Sequence, residues 1–194
     1  MTGFTQRDQA VCEAMRYWLE RAVIGLNLCP FAKAVHSKGQ IHYAVSSACD
    51  AQALLHDLER EISDLLMQDS QQRDTTLLIA PDAFPDFWDF NVFLRSTDKL
   101  LRKKGWDGEV QIASFHPRYE FAEVAAGDMA HYTNRAPYPT LHLLREASLD
   151  RAVQAFPDAA LIYERNIATL RALGPAGWQT LGVDCTDAPQ ELVP

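Results

Sequence analysis

Apolar residues recur every three or four positions along the first part of the chain, which is the spacing of one face of an α-helix. The pattern predicts a helix over residues 6–26. Its apolar face consists of Val11, Met15, Trp18, Ala22 and Leu26. The same spacing predicts helices over residues 50–66 and 85–104, and Gly105 follows the second of them as a suitable C-cap.

Three shorter segments have the apolar patterns of β-strands. Apolar residues alternate in "IHYAVSS", "TTLLIAP" is a continuous run typical of a central strand, and "EVQIASFHP" predicts a third strand. Because these strands alternate with helices, we expect right-handed parallel βαβ units. The predicted fold class is α/β, with a small, mainly parallel sheet of three or four strands (order 1-2-3) between two helical layers.

The second half of the chain contains several prolines and is predicted to be helical. "PTLHLLRE" places Pro139 in a first helical turn, Ser148 is the N-cap of a short helix, and residues 158–174 predict a longer helix that ends at Gly174. The residues that follow have no periodicity. We therefore expect a single α/β domain over residues 1–178 and a loose C-terminal tail over residues 179–194.

Composition and charge argue against several classes of function for this chain, beginning with nucleic-acid binding. The 194 residues carry a net charge of −8, so the basic surface that binds nucleic acid is not expected. The sequence has no apolar run of the ~18 residues that span a bilayer and no signal peptide, so we expect no membrane association. We expect a cytoplasmic protein whose four cysteines are reduced thiols. Glycine-rich nucleotide motifs are missing, and no cofactor is predicted.

The segment "NLCPFAK" holds the first candidate for chemistry. If Pro30 is the first helical residue, Cys29 is the N-cap, where free amides and the helix dipole favour a thiolate. Lys33 lies one turn later and adds positive charge, which together predict a reactive cysteine. The alternative is that Cys29 is an unreactive residue packed in the core at a bend.

A histidine at the end of a predicted strand is the second candidate. In open parallel sheets ligands bind beyond the carboxyl ends of the strands, and His116 of "SFHPRYEF" lies at such an end. A histidine there suits a general base or a metal ligand, and Tyr119 of the same motif is predicted to contact the substrate. The alternative is a structural histidine that makes capping or other hydrogen bonds.

The segment "NRAPYPTLHLLRE" predicts an anion site. Asn134 and Arg135 precede a proline-rich loop, and the helix expected to begin at Pro139 offers free amide groups. His142 and Arg145 are three residues apart and share one face of that helix. The alternative is that both are solvated surface residues.

Three consecutive polar residues in "YERN" lie on the apolar helix predicted over residues 158–174. Glu164, Arg165 and Asn166 cannot all face water on such a helix, and buried polar groups need partners. One interpretation is an internal salt bridge between helices. The other is that Glu164 orients an arginine or histidine of the site.

The motifs "VIGLNLCPFAK", "FHPRYEFA", "NRAPYPTLHLLRE" and "IYERNIATLR" together resemble a bacterial family known as domain of unknown function 1415. The resemblance extends from the first helix to Leu173. It implies a cytosolic bacterial protein with no assigned reaction, and it transfers no catalytic residue to this chain.

The first functional hypothesis is a small cytosolic enzyme, a hydrolase or transferase that acts on a small anionic metabolite. Cys29 is the predicted nucleophile, with His116 or His142 as its base. The predicted catalytic residues are Cys29, His116, His142 and Glu164. The predicted substrate-binding residues are Lys33, Tyr119, Asn134, Arg135, Arg145, Arg165 and Asn166.

Two alternatives belong to other functional classes. The same groups also suit a non-catalytic protein that binds an anionic ligand or a protein partner. A metal site built from Cys29, His116 and His142, with Glu164, is the lesser alternative, since cysteine and histidine suit zinc. Long gaps between these residues are not a metal-binding signature, so the predicted site contains no metal.

Overall fold

A four-stranded sheet with helices on both of its faces forms the centre of the fold. It is seen in a computed structural model, which describes residues 5–155 and 161–183. The mixed α/β class predicted from the sequence is confirmed. No helix in the described part of the chain is both long enough and apolar enough to cross a membrane.

The order of the strands differs from the prediction. The strands are β1 (Ile41–Val45), β2 (Thr75–Ile79), β3 (Val110–Phe115) and β4 (Thr140–Arg145). They lie in the order β1-β2-β4-β3. β1 and β2 are parallel, but β4 is antiparallel to both β2 and β3. The sheet is therefore mixed, and the predicted parallel order 1-2-3 is wrong.

The error comes from the segment "PTLHLLRE", which is a strand and not a helix. Leu141 and Leu143 are buried on one face of the sheet and His142 lies on the other, so the residues alternate with the period of a strand. A six-residue apolar segment is too short for periodicity to separate strand from helix. Once β4 pairs between β2 and β3, no helix N-terminus forms at Pro139.

Helices cover both faces of the sheet. They are α1 (Gln6–Trp18), α2 (Ala32–Ser37), α3 (Ala51–Met67), α4 (Phe87–Lys104), α5 (Glu146–Ala155) and α6 (Ile162–Leu181). A π-helix (Leu19–Ile24) continues α1, and a 3-10 helix (Met129–Asn134) precedes β4. The helices predicted over residues 6–26, 50–66 and 85–104 correspond to α1 with its π-helical extension, to α3 and to α4.

Each face of the sheet has its own hydrophobic core. The first core lies under α3 and α4, where the predicted stripe Leu54, Leu58, Ile62 and Leu65 is fully buried. Complete burial of each such side chain stabilises the fold by about 1.5–3 kcal/mol. The second core lies under α1, its π-helical extension and α6, and it contains Trp18, Leu77 and Trp178.

Polar caps determine where the crossover helix α4 begins and ends. Asp86 is its N-cap and accepts a hydrogen bond from Trp88 N–H at 2.8 Å. Asp82, four residues earlier, forms a salt bridge with Arg7. Gly105 ends the helix in the left-handed conformation (φ 70°), as predicted.

The long C-terminal helix is interrupted where the sequence predicted its end. Gly174 has a non-helical backbone (φ 67°, ψ 174°) directly before Pro175, and the helix then continues to Leu181. Val183 is buried, so the packed chain extends beyond residue 178. The predicted start at Asp158 and the tail from residue 184 lie outside the described residues.

Candidate functional site

A cavity of about 260 Å³ lies on the face of the sheet that carries the second core. All four strands supply one wall, and α1, the π-helix, α2 and α5 supply the other. Most of the lining is hydrocarbon. Its apolar residues include Leu19, Val23, Val35, Leu77, Phe115 and Leu144. Few polar side chains line the space, and His142 is one of them.

His142 is held in one tautomer by the neighbouring strand. Its Nε2 lies 2.7 Å from Oγ1 of Thr75, and the Thr75 hydroxyl donates to the Leu143 carbonyl at 2.6 Å. Because that hydroxyl has one proton, Nε2 must carry the proton of the imidazole and donate it. The Nδ1 lone pair accepts no hydrogen bond from the described residues.

Burial keeps the His142 ring uncharged. It lowers the pKa of His142 from its ordinary 6.5 to about 4, since an imidazolium loses its hydration in these surroundings. At neutral pH the cavity therefore contains a neutral imidazole with a free acceptor nitrogen. The structure confirms neither the shared helical face with Arg145 nor the solvated alternative for His142.

Cys29 lines the same cavity, at the end of the first helical segment. Asn27 has a left-handed backbone (φ 54°), and Leu28 N–H donates to the Val23 carbonyl at 2.8 Å, as in a Schellman-type ending. Burial raises the pKa of the Cys29 thiol, although the amides of Phe31 and Ala32 act in the opposite direction. The net direction is opposite to that expected for a reactive cysteine, so the thiol is protonated at neutral pH.

The helix after Cys29 is short. It begins at Ala32, two residues later than Pro30, and has six residues. Its dipole is correspondingly weak against the cost of desolvating a thiolate. Lys33 is exposed on this helix and does not line the cavity.

The sequence profile of a family described as "Protein of unknown function (DUF1415)" matches residues 10–180. The chain belongs to this family. No match to the chain was found among curated proteins or among solved structures. The resemblance predicted from the four motifs is thereby confirmed.

The second histidine predicted for the site lies on the other face of the DUF1415 sheet. His116 is fully buried beside Phe90 of the first core, with ring centroids 5.3 Å apart. Its Nδ1 accepts from Arg118 N–H at 3.0 Å, so Nε2 donates to the Phe84 carbonyl at 3.0 Å. Both ring nitrogens therefore form hydrogen bonds with backbone groups of loops, which agrees with the alternative of a structural histidine.

Arg135, Asn134 and Tyr119 lie together, but not in the cavity of Cys29. The Nε of Arg135 donates to the Tyr119 carbonyl at 3.3 Å, and its guanidinium lies 4.3 Å from the centre of the Tyr132 ring. Asn134 donates to the Ser114 carbonyl at 3.0 Å and so ties the 3-10 helix to β3. Arg135 lines a second cavity of about 230 Å³. The lining of this second cavity is Trp18, Pro117, Tyr132, Arg135, Ala136, Trp178 and Val183.

Arg145 lines the first cavity, and one nitrogen of its guanidinium is held by backbone carbonyls near the end of α3. Its Nη2 donates to three backbone carbonyls. One belongs to Leu65 in the last turn of α3, and the others belong to Gln68 (2.7 Å) and Arg73 (3.2 Å), which follow the helix. Its Nε is buried from solvent and without a partner in the described residues. Arg145 therefore fastens β4 to α3.

The polar triplet of α6 divides between solvent and core. Glu164 and Arg165 are exposed, so the expectation that the three residues cannot all face water is met by Asn166 alone. Asn166 is buried, and its Nδ2 donates to the Leu28 carbonyl at 2.8 Å. Asn166 thus positions the turn that carries Cys29, while Glu164 lies in neither cavity.

Sequence reasoning missed several residues of the two cavities. Thr75 opens a buried strand, and Trp18 is on the apolar helix face, so both were assigned to the core alone. Asp74 and Ser148 line the first cavity and are joined by a 2.6 Å hydrogen bond. Within the described residues, no group of three or more His, Cys, Asp or Glu side chains is placed to hold a metal ion.

Proposed function

We propose that this DUF1415 protein binds a small, predominantly apolar molecule in the first cavity. The ligand donates one hydrogen bond to Nδ1 of His142. The supporting observation is the hydrocarbon-lined space beside an imidazole whose tautomer is set by Thr75. Ligand sites are commonly of this kind, with apolar walls and few oriented polar groups.

The charges around the cavity favour an uncharged ligand. His142 is neutral, and Lys33 faces solvent. Asp74 and Arg145 are the lining residues of formal charge, and their charges are opposite. Nη2 of Arg145 is hydrogen-bonded to backbone carbonyls, and Asp74 opposes its charge within the described lining, so this lining as a whole does not favour an anion. We therefore do not propose the anionic metabolite expected from the sequence as the ligand of this cavity.

The volume favours a small ligand. At about 260 Å³ the cavity lies just below the range of ~300–1,000 Å³ that is common for ligand pockets. A single ring that carries one hydroxyl group is of suitable size and polarity. Cyclohexanol and phenol are accordingly the probes of choice, and cyclohexanecarboxylate is the charged analogue.

Thermal unfolding in the presence of these probes tests the proposal. A ligand present at 100 times its Kd stabilises the folded state by about 2.7 kcal/mol. We expect cyclohexanol or phenol to raise the Tm, and cyclohexanecarboxylate to raise it much less through this cavity. In Ala152→Phe a ring fills part of the cavity from α5, and the shift should disappear.

Ala147→Phe is the matched control, because Ala147 is exposed on the same helix and does not line the cavity. It should leave the shift intact. His142→Phe, which keeps a ring but removes the acceptor, should reduce it. Equal shifts in the wild type and in Ala152→Phe would contradict the proposal, as would a preference for the carboxylate.

A second candidate is an enzyme in which Cys29 is the nucleophile and His142 accepts its proton. The observation that favours it is that both side chains line one cavity. The raised pKa of the thiol and the lowered pKa of the imidazole weigh against it. Catalysis of this type would need a bound substrate to change those surroundings.

The pH dependence of alkylation tests this candidate. The rate at Cys29 is measured by iodoacetamide labelling and peptide mass spectrometry, with the exposed Cys49 as internal reference. We expect Cys29 to react with an apparent pKa above that of Cys49, and no change in His142→Gln. An apparent pKa below that of Cys49, restored to an ordinary value by His142→Gln, would favour the enzyme.

A further inference from the structure

We propose that Arg135 and the aromatic walls of the second cavity form a binding site for a small aromatic carboxylate. This site is distinct from the cavity of His142 and Cys29, and its chemistry is different. The proposal goes beyond the function proposed above and does not depend on it. Three observations carry it: the way Arg135 is held, the charge around it and the nature of the walls.

Arg135 is held in place without using its terminal donors. Its Nε donates to the Tyr119 carbonyl at 3.3 Å, and the guanidinium lies 4.3 Å from the centre of the Tyr132 ring. Its Nη groups make no hydrogen bond to any residue that the structure describes. An arginine so oriented presents a planar pair of donors, which matches the two oxygens of a carboxylate.

The charge of Arg135 is not balanced by the described residues around the cavity. None of the ion pairs within residues 5–155 and 161–183 includes Arg135. No acidic side chain of these residues lines the cavity. By contrast, Arg73 is paired with the buried Glu61 at 2.7 Å. An anion that enters the second cavity would supply the missing charge.

The walls favour an aromatic ring next to the anionic group. Trp18, Tyr132 and Trp178 line the cavity, and the rings of Tyr132 and Trp178 meet edge to face with centroids 4.9 Å apart. Aromatic pairs in such arrangements add stabilisation beyond the area that they bury. Inorganic phosphate would satisfy the arginine but not these rings. At about 230 Å³ the space suits one ring rather than a fused system.

The structure also provides a reporter for this site. The indole Nε1 of Trp18 donates to the Arg135 carbonyl at 3.0 Å, and Trp178 is a wall of the cavity. The chain has four tryptophans, and Trp88 is 70% exposed on α4, away from both cavities. The indole N–H signals therefore distinguish binding at this site from a general effect of the additive.

The test is an NMR titration of the ¹⁵N-labelled full chain with benzoate. We expect saturable shifts of the Trp18 and Trp178 indole signals and no shift of Trp88, with a Kd of about 1 mM or below for a ligand of this size. Benzyl alcohol keeps the ring without the charge, and cyclohexanecarboxylate keeps the charge without the aromatic ring. Both should bind more weakly, and inorganic phosphate should not produce the pattern.

Variants assign the binding to Arg135. Arg135→Gln should raise the Kd of benzoate at least about tenfold, which is the loss of affinity expected when hydrogen bonds to a charged group are removed. Arg16→Gln is the matched control, because Arg16 also stacks on a tyrosine, at 5.0 Å from the Tyr43 ring, but lines neither cavity. It should leave the Kd unchanged. Thermal unfolding of each variant verifies that it is folded.

Three results would overturn the proposal. The first is the absence of saturable shifts at about ten times the expected Kd. The second is equal binding of benzyl alcohol and benzoate. The third is an unchanged Kd in a folded Arg135→Gln. If Arg135→Gln does not fold, the comparison of benzoate with benzyl alcohol on the wild type decides, since it needs no substitution.

Discussion

The two cavities lie on either side of one tryptophan and have opposite chemistry. The first cavity has hydrocarbon walls and an uncharged His142, whereas the second has aromatic walls and a guanidinium without an anionic partner in the described residues. Trp18 lines both of them. The same buried side chain therefore separates a space suited to a neutral molecule from one suited to an anion.

The two arginines of the cavities show that the hydrogen-bond partners of a guanidinium decide whether it can bind a ligand. Arg145 lines the first cavity, but its Nη2 donates to the carbonyls of Gln68 and Arg73 beyond the end of α3. Arg135 has one backbone contact through Nε and keeps its Nη donors free of the described residues. Hydrogen bonds from Nη2 to three backbone carbonyls make Arg145 structural, whereas Arg135 makes no such bond through its Nη groups to the described residues and keeps them available to a ligand.

The largest expected effect follows from removing the shared wall. Trp18 is 3% exposed, so Trp18→Ala should lower the free energy of unfolding by about 3–5 kcal/mol through lost burial and a new cavity. It also leaves the Arg135 carbonyl without its 3.0 Å hydrogen bond. Both binding activities should be lost together. Urea unfolding and the two ligand titrations measure these effects.

Trp88→Ala is the control for that substitution. Trp88 is 70% exposed, so the free energy of unfolding should change by less than about 0.5 kcal/mol. Trp18→Phe separates the two roles of the indole, because it keeps a ring between the cavities but removes the hydrogen bond to Arg135. If Trp18→Phe weakens ligand binding in the first cavity more than in the second, the indole does not have these two roles.

Much of the fold was predictable because long amphipathic segments carry redundant information. The four residues of the α3 stripe each repeat the same signal, and Gly105 marks an end that no other residue makes as easily. The segment Thr140–Arg145 around His142 has six residues, too few to repeat a pattern that would identify it as a strand. Its strand conformation depends on pairing with β2 and β3, where His142 lies opposite Leu77 and Ala113, 65 and 29 residues earlier in the chain. No local pattern encodes partners at such distances.

The second prediction concerns pH and isolates the first cavity. Burial lowers the pKa of His142 from 6.5 to about 4, so the unfolded chain binds more protons than the folded chain between these values. The contribution of His142 is therefore complete above pH 6.5 and is lost as the pH falls towards 4. It amounts to about 3 kcal/mol, at 1.36 kcal/mol for each unit of pKa difference.

His142→Gln supplies the comparison, because glutamine can still donate to Thr75 but does not titrate. Urea unfolding at several pH values should show a steeper loss of stability below pH 6.5 in the wild type than in His142→Gln. Burial also lowers the pKa of His116, which remains in both proteins and cancels in the difference. Parallel pH profiles would show that the folded protein accommodates a charged His142.

The site was less predictable than the fold because its residues meet only through tertiary structure. The sequence singled out Cys29, His142 and Arg135, yet the sheet places the first two at one cavity and the third at another. His116 has the strand-end position that sequence reasoning favours, but the Arg118 amide and the Phe84 carbonyl already occupy its ring nitrogens. Which hydrogen bonds a histidine makes depends on neighbours that spacing along the chain does not reveal.

The smallest effect expected concerns α6, which supplies Trp178 to the second cavity and holds the turn before Cys29 through Asn166. Asn166→Ala leaves the buried Leu28 carbonyl without its 2.8 Å partner and should lower the free energy of unfolding by about 1–3 kcal/mol. Because Leu28 precedes Cys29, the alkylation rate of Cys29 should rise, while benzoate binding near Trp178 should stay the same. Glu164→Ala is the control on the same helix, since Glu164 is exposed, and should change neither quantity. A loss of benzoate binding in folded Asn166→Ala, with no change at Cys29, would mean that α6 supports the second cavity rather than the first.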